Sequence, residues 1–228
     1  MGIQQKISKI RGIADVVFCI DFSRSMGACI QGIKEHITAF VNSLERSSPN
    51  MTIDWRIGFC GYSHIEFVKY GFTSDVKRFS TMLANASVDG GEEFTPGALD
   101  FCINGFEWRP VSNKFIILFT DEVLGSGGSR SQIDNARSNF PDLLQKISDS
   151  GIRLFYFGPR CPYFKQFEQL SRAFVTFIEN DFTTIDFSSL LNSLGKTVSQ
   201  SCQGQTGSNL QELPCVIDIS MIKITNLN

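Results

Sequence analysis

The chain has 228 residues, 42% of them hydrophobic, with 21 basic against 23 acidic side chains and a formal net charge of −2. That length suits one α/β domain with a tail, able to bury a core without disulfide or metal staples. The charge gives no bulk attraction to nucleic acid or to an anionic membrane, and no run of Lys and Arg interleaved with aromatics changes this. The first eleven residues are polar and interrupted by Lys6, Lys9 and Arg11, unlike an export signal, and the apolar run behind them is too short to span a bilayer. The seven cysteines are odd in number and scattered, with no Cys-x-x-Cys pair, and neither of the two histidines, His36 and His64, lies near a cysteine pair. Zinc is therefore not expected, whereas reduced thiols in a cytoplasmic setting are.

In chain order, the apolar, β-branched run at 14–20 predicts a buried strand. Behind the turn at 21–27, Ile30, Ile33, Ile37, Phe40 and Leu44 form one stripe of an amphipathic helix. While the turn stays extended, Asp21, Ser23 and Ser25 share one side, and Phe22 and Arg24 face away. Strands at 53–62 and 65–70 are linked only by Ser63 and His64, too short for a parallel crossover, so they predict an antiparallel hairpin. A helix over 75–84, capped by Ser74, carries Val76, Phe79, Met82 and Leu83 inward. The loop 89–97 leads into a helix with Thr95 as cap, Pro96 in its first turn and Ala98, Leu99, Cys102 and Phe106 behind.

The run at 114–121 is the clearest buried strand and ends on the carboxylate of Asp121. A glycine-rich surface loop at 125–129 precedes a helix over 131–150, broken near Phe140 and Pro141. A strand at 152–157, a helix at 163–173, a short strand at 174–179 and a helix at 187–198 complete the pattern. Such alternation predicts a doubly wound, mostly parallel Rossmann-like sheet with one antiparallel edge strand and helices on both faces. The expected division is a domain over 1–200 and a linker with a C-terminal strand or tail over 201–228. The apolar segment 216–224 suits a strand added to a sheet edge or to another chain.

Three strand-following loops offer oxygens: Asp21, Ser23 and Ser25 in the first, then Thr95, then Asp121. The first strand and the Asp121 strand are expected neighbours at the switch point of the sheet, where ligands lie beyond the strands' carboxyl ends. Two carboxylates and three hydroxyls suit a hard divalent cation held near octahedrally. A plainer role for the first loop is Ser25 capping the helix while Asp21 satisfies backbone donors. The glycine-rich loop 125–129 lacks the Gly-Lys-Ser/Thr element of a phosphate loop, and His64 reads as a turn residue.

Together, Asp21-x-Ser23-x-Ser25, the Gly-Gly loop ending at Thr95 with Ala98 and Leu99 behind it, and the strand ending Thr120-Asp121 resemble a von Willebrand factor A domain with an intact metal-ion-dependent adhesion site. The similarity runs in order from about 13 to 198. It implies Mg2+, with Mn2+ or Ca2+ possible, held by Asp21, Ser23, Ser25, Thr95 and Asp121, and a protein partner presenting an Asp or Glu carboxylate to the ion. It further implies a non-enzymatic interaction module; intracellular members of the family often work with AAA+ ATPases or in multi-component stress and defence assemblies. Two departures stand out. Glu122 occupies the family's usual Gly position, and Glu92, Glu93 and Phe94 separate the glycines from Thr95. Glu122, Glu93 and Arg24 are candidates for binding the ion's waters or touching a partner, with Met26 open between partner contact and packing. The alternative is a metal-dependent phosphohydrolase, although Ser23 stands where such enzymes usually place a second Asp. An extracellular adhesion role fits poorly with unpaired thiols.

Overall fold

The computed structural model describes residues 10–46, 51–63, 66–86, 94–124, 130–179 and 181–203. Six strands, β1 (Ile10–Asp21), β2 (Met51–Ser63), β3 (Glu66–Thr73), β4 (Asn113–Phe119), β5 (Arg153–Gly158) and β6 (Ala173–Phe177), form one sheet in the order β3-β2-β1-β4-β5-β6. The β2–β3 pair is antiparallel and the remaining pairs are parallel. Register slips between Ile57 and Phe59, where β2 meets β3, so a bulge bends this edge of the sheet. The helices are α1 (Gly27–Arg46), α2 (Val76–Asn85), α3 (Thr95–Gly105), α4 (Arg130–Ser138), α5 (Phe140–Asp149) and α6 (Phe187–Gln203). None of them is long and apolar enough to cross a membrane among the described residues.

The continuous apolar run in β1 follows from burial on both faces. Ala14, Val16, Phe18 and Ile20 point into a core shared with α1, α2 and α6, whereas Val17 and Cys19 point into one shared with α3, α4 and α5. Phenylalanine fills much of both layers; Phe18, for example, meets Phe40 of α1 edge-on at 5.4 Å between centroids. Gly195 of α6 lies so close to α1 that a methyl there would collide with the carbonyl of Phe40. The two helices therefore pack backbone to backbone in the second half of α1.

Several boundaries differ from expectation for local reasons. Asp75, not Ser74, caps α2, its carboxylate accepting from Lys77 N at 2.8 Å and Arg78 N at 3.1 Å. Phe94 holds the cap position of α3, and Thr95 is the helix's first residue because its hydroxyl is engaged elsewhere. β4 stops at Phe119, leaving Thr120 and Asp121 in the loop beyond it. The segment expected as a helix at 163–173 is a 3-10 helix over Phe164–Gln169. Its i, i+3 repeat eclipses side chains, and Phe164 stacks on Phe167 at 5.7 Å. α6 continues to Gln203, with Cys202 buried, so the first three residues assigned to the linker are helical. Residues 204–228, the loop 125–129, His64, Glu92 and Glu93 lie outside the described residues.

One charge in β1 escapes the apolar pattern. Asp15 is fully buried at the amino end of the sheet, where Arg56 Nε and Nη2 reach its two oxygens at 3.0 and 2.8 Å. Arg109 adds its backbone N at 2.8 Å and Nε at 2.9 Å, and Ser112 Oγ donates at 3.0 Å. Burial alone would raise the Asp15 pKa; the hydrogen bonds from Arg56 and Arg109 outweigh it and hold the carboxyl below its ordinary value.

With its folded pKa depressed, Asp15 contributes its full stabilisation above the unfolded value of about 3.9, and this is lost as pH falls through the folded value. Asp15→Asn is expected to destabilise the fold by about 3 kcal/mol at pH 7, because the arginines lose their counter-charge. It should also flatten the acid limb of stability against pH. Urea unfolding of both proteins between pH 2.5 and 7 checks this; parallel curves would contradict the assignment.

Candidate functional site

β1 and β4 lie side by side, and their connections leave toward opposite edges of the sheet. The crevice beyond their carboxyl ends is therefore the switch point, and Asp21 and the Thr120–Glu122 segment both border it. Asp21 closes β1 with its side chain fully buried. One of its oxygens accepts from Ser23 N at 2.8 Å and the other from Thr120 Oγ1 at 3.0 Å. The next residues do not stay extended as expected. Ser23 is extended, but Arg24–Met26 wind into a 3-10 turn that leads directly into α1. That turn nevertheless brings Ser25 Oγ to 3.0 Å from Ser23 Oγ, and Ser23 Oγ reaches Asp121 Oδ1 at 3.5 Å.

Thr120, not singled out from the sequence, joins the three loops. Its hydroxyl has one proton and two lone pairs. The proton goes to Asp21, and one lone pair accepts from Glu122 N at 3.0 Å. The 3.4 Å contact with Thr95 Oγ1 must then have Thr95 as donor. Thr95 Oγ1 in turn accepts from Tyr62 Oη at 2.7 Å. Burial, with a contribution from the Asp21 charge, pushes the Tyr62 hydroxyl well above its ordinary pKa, so it keeps the proton this chain requires. The order Tyr62 to Thr95 to Thr120 to Asp21 is thus directed by proton count, and it leaves one lone pair on Thr95 for a further partner. A clue to Tyr62 was present in its place at the end of β2, where the parallel register pairs it with Asp21.

Glu122 also has a defined place. It is 2% exposed, and its Oε2 accepts from Thr95 N at 2.9 Å. Phe94, in the cap position of α3, provides no side-chain cap, so Glu122 reaches across from the β4 loop and supplies one. It is neither a rim charge nor a solvent-facing residue. Arg24 and Ser25 are exposed beside the crevice, whereas Met26 is fully buried in the core and is no partner contact.

All five predicted oxygen-bearing residues therefore gather at one crevice, in two tiers. Ser23 touches both Ser25 and Asp121 directly, while Asp21 and Thr95 are joined behind them through Thr120. Cis ligands of an octahedron with bonds of about 2.0–2.1 Å stand about 3 Å apart. The 3.0 Å and 3.5 Å separations in the front tier are close to that spacing. Carboxylate and hydroxyl oxygens are the donors that hard divalent cations take.

The profile of the von Willebrand factor type A domain matches residues 15–193. No curated protein matches the chain by sequence. Among solved structures, the SpRpn10 VWA domain is 12% identical with a TM-score of 0.57, over 78% of this chain and 94% of that one. An aerotolerance-related membrane protein from Bacteroides fragilis is 15% identical with a TM-score of 0.55, over 83% and 98%. Proximal thread matrix protein 1 from the mussel byssus is 14% identical with a TM-score of 0.57; 83% of this chain matches, but it spans only 47% of the mussel protein. At such identities the likeness concerns the fold alone.

Glu122→Ala is expected to cost about 1 kcal/mol, as loss of a helix cap does, with Glu122→Gln costing less because its amide oxygen can still accept. Equilibrium denaturation measures the loss, and hydrogen exchange at Thr95 N should quicken in the alanine variant. Unchanged exchange at Thr95 would remove Glu122 from the cap position.

Proposed function

The chain belongs to the von Willebrand factor type A domain family, and on that premise we propose that it is a non-enzymatic, Mg2+-dependent protein-interaction module. Domains of this family are commonly interaction modules. The observation that carries the metal reading is the front tier: Ser23 Oγ lies 3.0 Å from Ser25 Oγ and 3.5 Å from Asp121 Oδ1, which joins oxygens of two loops. Asp21 and Thr95 complete the donor set from behind, and Mn2+ or Ca2+ would find the same oxygens. Bound there, the ion supplies a positive centre that attracts a carboxylate from outside. Three of the five donors are neutral hydroxyls, which cancel none of its charge.

The chain's own residues do the rest. The Tyr62–Thr95–Thr120 chain fixes the Thr95 hydroxyl, and Thr120 and Ser23 N hold the Asp21 carboxylate. Glu122 Oε2 is engaged with the amino end of α3. Exposed Arg24 lies where it would meet that partner. The partner in this reading is a protein presenting an Asp or Glu side chain, within an AAA+ ATPase-linked or other multi-component assembly. The six described cysteines are all free, consistent with a cytoplasmic setting.

Calorimetric titration with Mg2+ and Mn2+ is expected to give one site per chain, weakened at least about tenfold in Asp21→Ala by loss of a carboxylate ligand. Capture of partners from native lysate should fall when a chelator replaces Mg2+ and when Asp21 is replaced. Partner capture that survives both changes would refute the role of the ion.

A further inference from the structure

Beneath the oxygen site, the same three elements bring together a second set of side chains of different chemistry. Cys19 lies two residues before Asp21 on β1, and Cys60 two before Tyr62 on β2; the parallel register pairs Cys19 with Cys60. Cys102 lies seven residues after Thr95, two turns along α3. Strand alternation and helical repeat thus stack a sulfur layer directly under the oxygen layer. The three sulfurs all lie within 4.8 Å of one another, and all three residues are fully buried. Among the described residues this is the one group of three His, Cys, Asp or Glu side chains gathered so closely. Cys29, Cys161 and Cys202 are also free and buried, but outside it.

A single buried thiol packs as a small hydrophobe and needs no further explanation. Three from separate elements converging on one point are different, because their spacing is that of a thiolate cage. A metal–sulfur bond of about 2.3 Å puts three ligands about 4 Å apart, within the separation observed. We propose that Cys19, Cys60 and Cys102 form a buried site for one soft monovalent metal ion, Cu(I).

Sulfur ligands alone select soft ions, Cu(I) and Zn2+ foremost. Structural zinc takes four protein ligands, and no fourth His, Cys, Asp or Glu joins the group among the described residues; Cu(I) is satisfied by three. The cage is sealed within the buried cluster that also holds Val17, Ala98, Leu99 and Phe106. Thiolate is the ligand form of cysteine, so the thiol protons leave for water as the ion enters. This site does not depend on an ion in the oxygen crevice above it, and its test is read from sulfur and copper alone.

The test uses the full chain, reduced and free of oxygen, with Cu(I) delivered from its bicinchoninate complex. Because the cage is sealed, delivery is made to the native protein and during refolding from denaturant. The expected results are one Cu(I) per chain, a sulfur-only shell at about 2.3 Å by X-ray absorption, and a raised Tm. Cys102→Ala and Cys60→Ser should each weaken binding about tenfold or more, while Cys161→Ala keeps the full equivalent. Failure to bind one ion by either route, a shell containing nitrogen or oxygen, or equal loss in Cys161→Ala would overturn the proposal. Should neither cage variant fold, the coordination shell of the unaltered protein decides alone. Three sulfurs support the site, and any other shell overturns it.

Discussion

The crevice depends on where one proton goes. Thr120 donates its only proton to Asp21 and accepts from Glu122 N, which forces Thr95 to act as donor toward it and acceptor toward Tyr62. A hydroxyl that could turn freely would allow several arrangements of the loops; here each partner's choice fixes the next. β1, the end of β2, the start of α3 and the loop after β4 are therefore joined through groups with no spare donor. Glu122 adds a second tie between the last two of these.

The two ends of the sheet solve the problem of buried carboxylates differently. At the amino end, Asp15 is neutralised inside the protein by Arg56 and Arg109, which closes that end electrostatically. At the carboxyl end, Asp21 accepts from a backbone amide and a hydroxyl, neutral donors that orient its carboxylate. Neutral donors orient a carboxylate, whereas guanidinium groups also cancel its charge. A single strand, β1, carries one carboxylate of each kind, six residues apart.

The strands, the hairpin, the break between α4 and α5 and the oxygen set were legible because each has a local signature. β1 and β4 are apolar runs too short for helices, and Asp21, Ser23 and Ser25 sit at a strand-to-helix turn. What could not be read needed partners distant in the chain. Asp15 looks like an error in an apolar strand until Arg109, 94 residues away, folds over it. Glu122 could not be assigned because its partner, Thr95 N, lies across the crevice and 27 residues back. The cysteines look scattered in sequence because their convergence needs the strand register and the turn of α3 together. The 3-10 helix at Phe164–Gln169 was missed because hydrophobic spacing alone does not separate it from an α-helix one turn longer.

The bulge between Ile57 and Phe59 affects how this protein behaves in a crowd. A sheet so rich in aromatic and β-branched residues carries a standing hazard at its rims, where unpaired amides and carbonyls can recruit further chains. On one rim the slipped register bends β3 out of the flat geometry that strand addition needs; on the other, β6 offers only five residues to a newcomer. Distorted on one side and brief on the other, the sheet is a poor template for polymerisation.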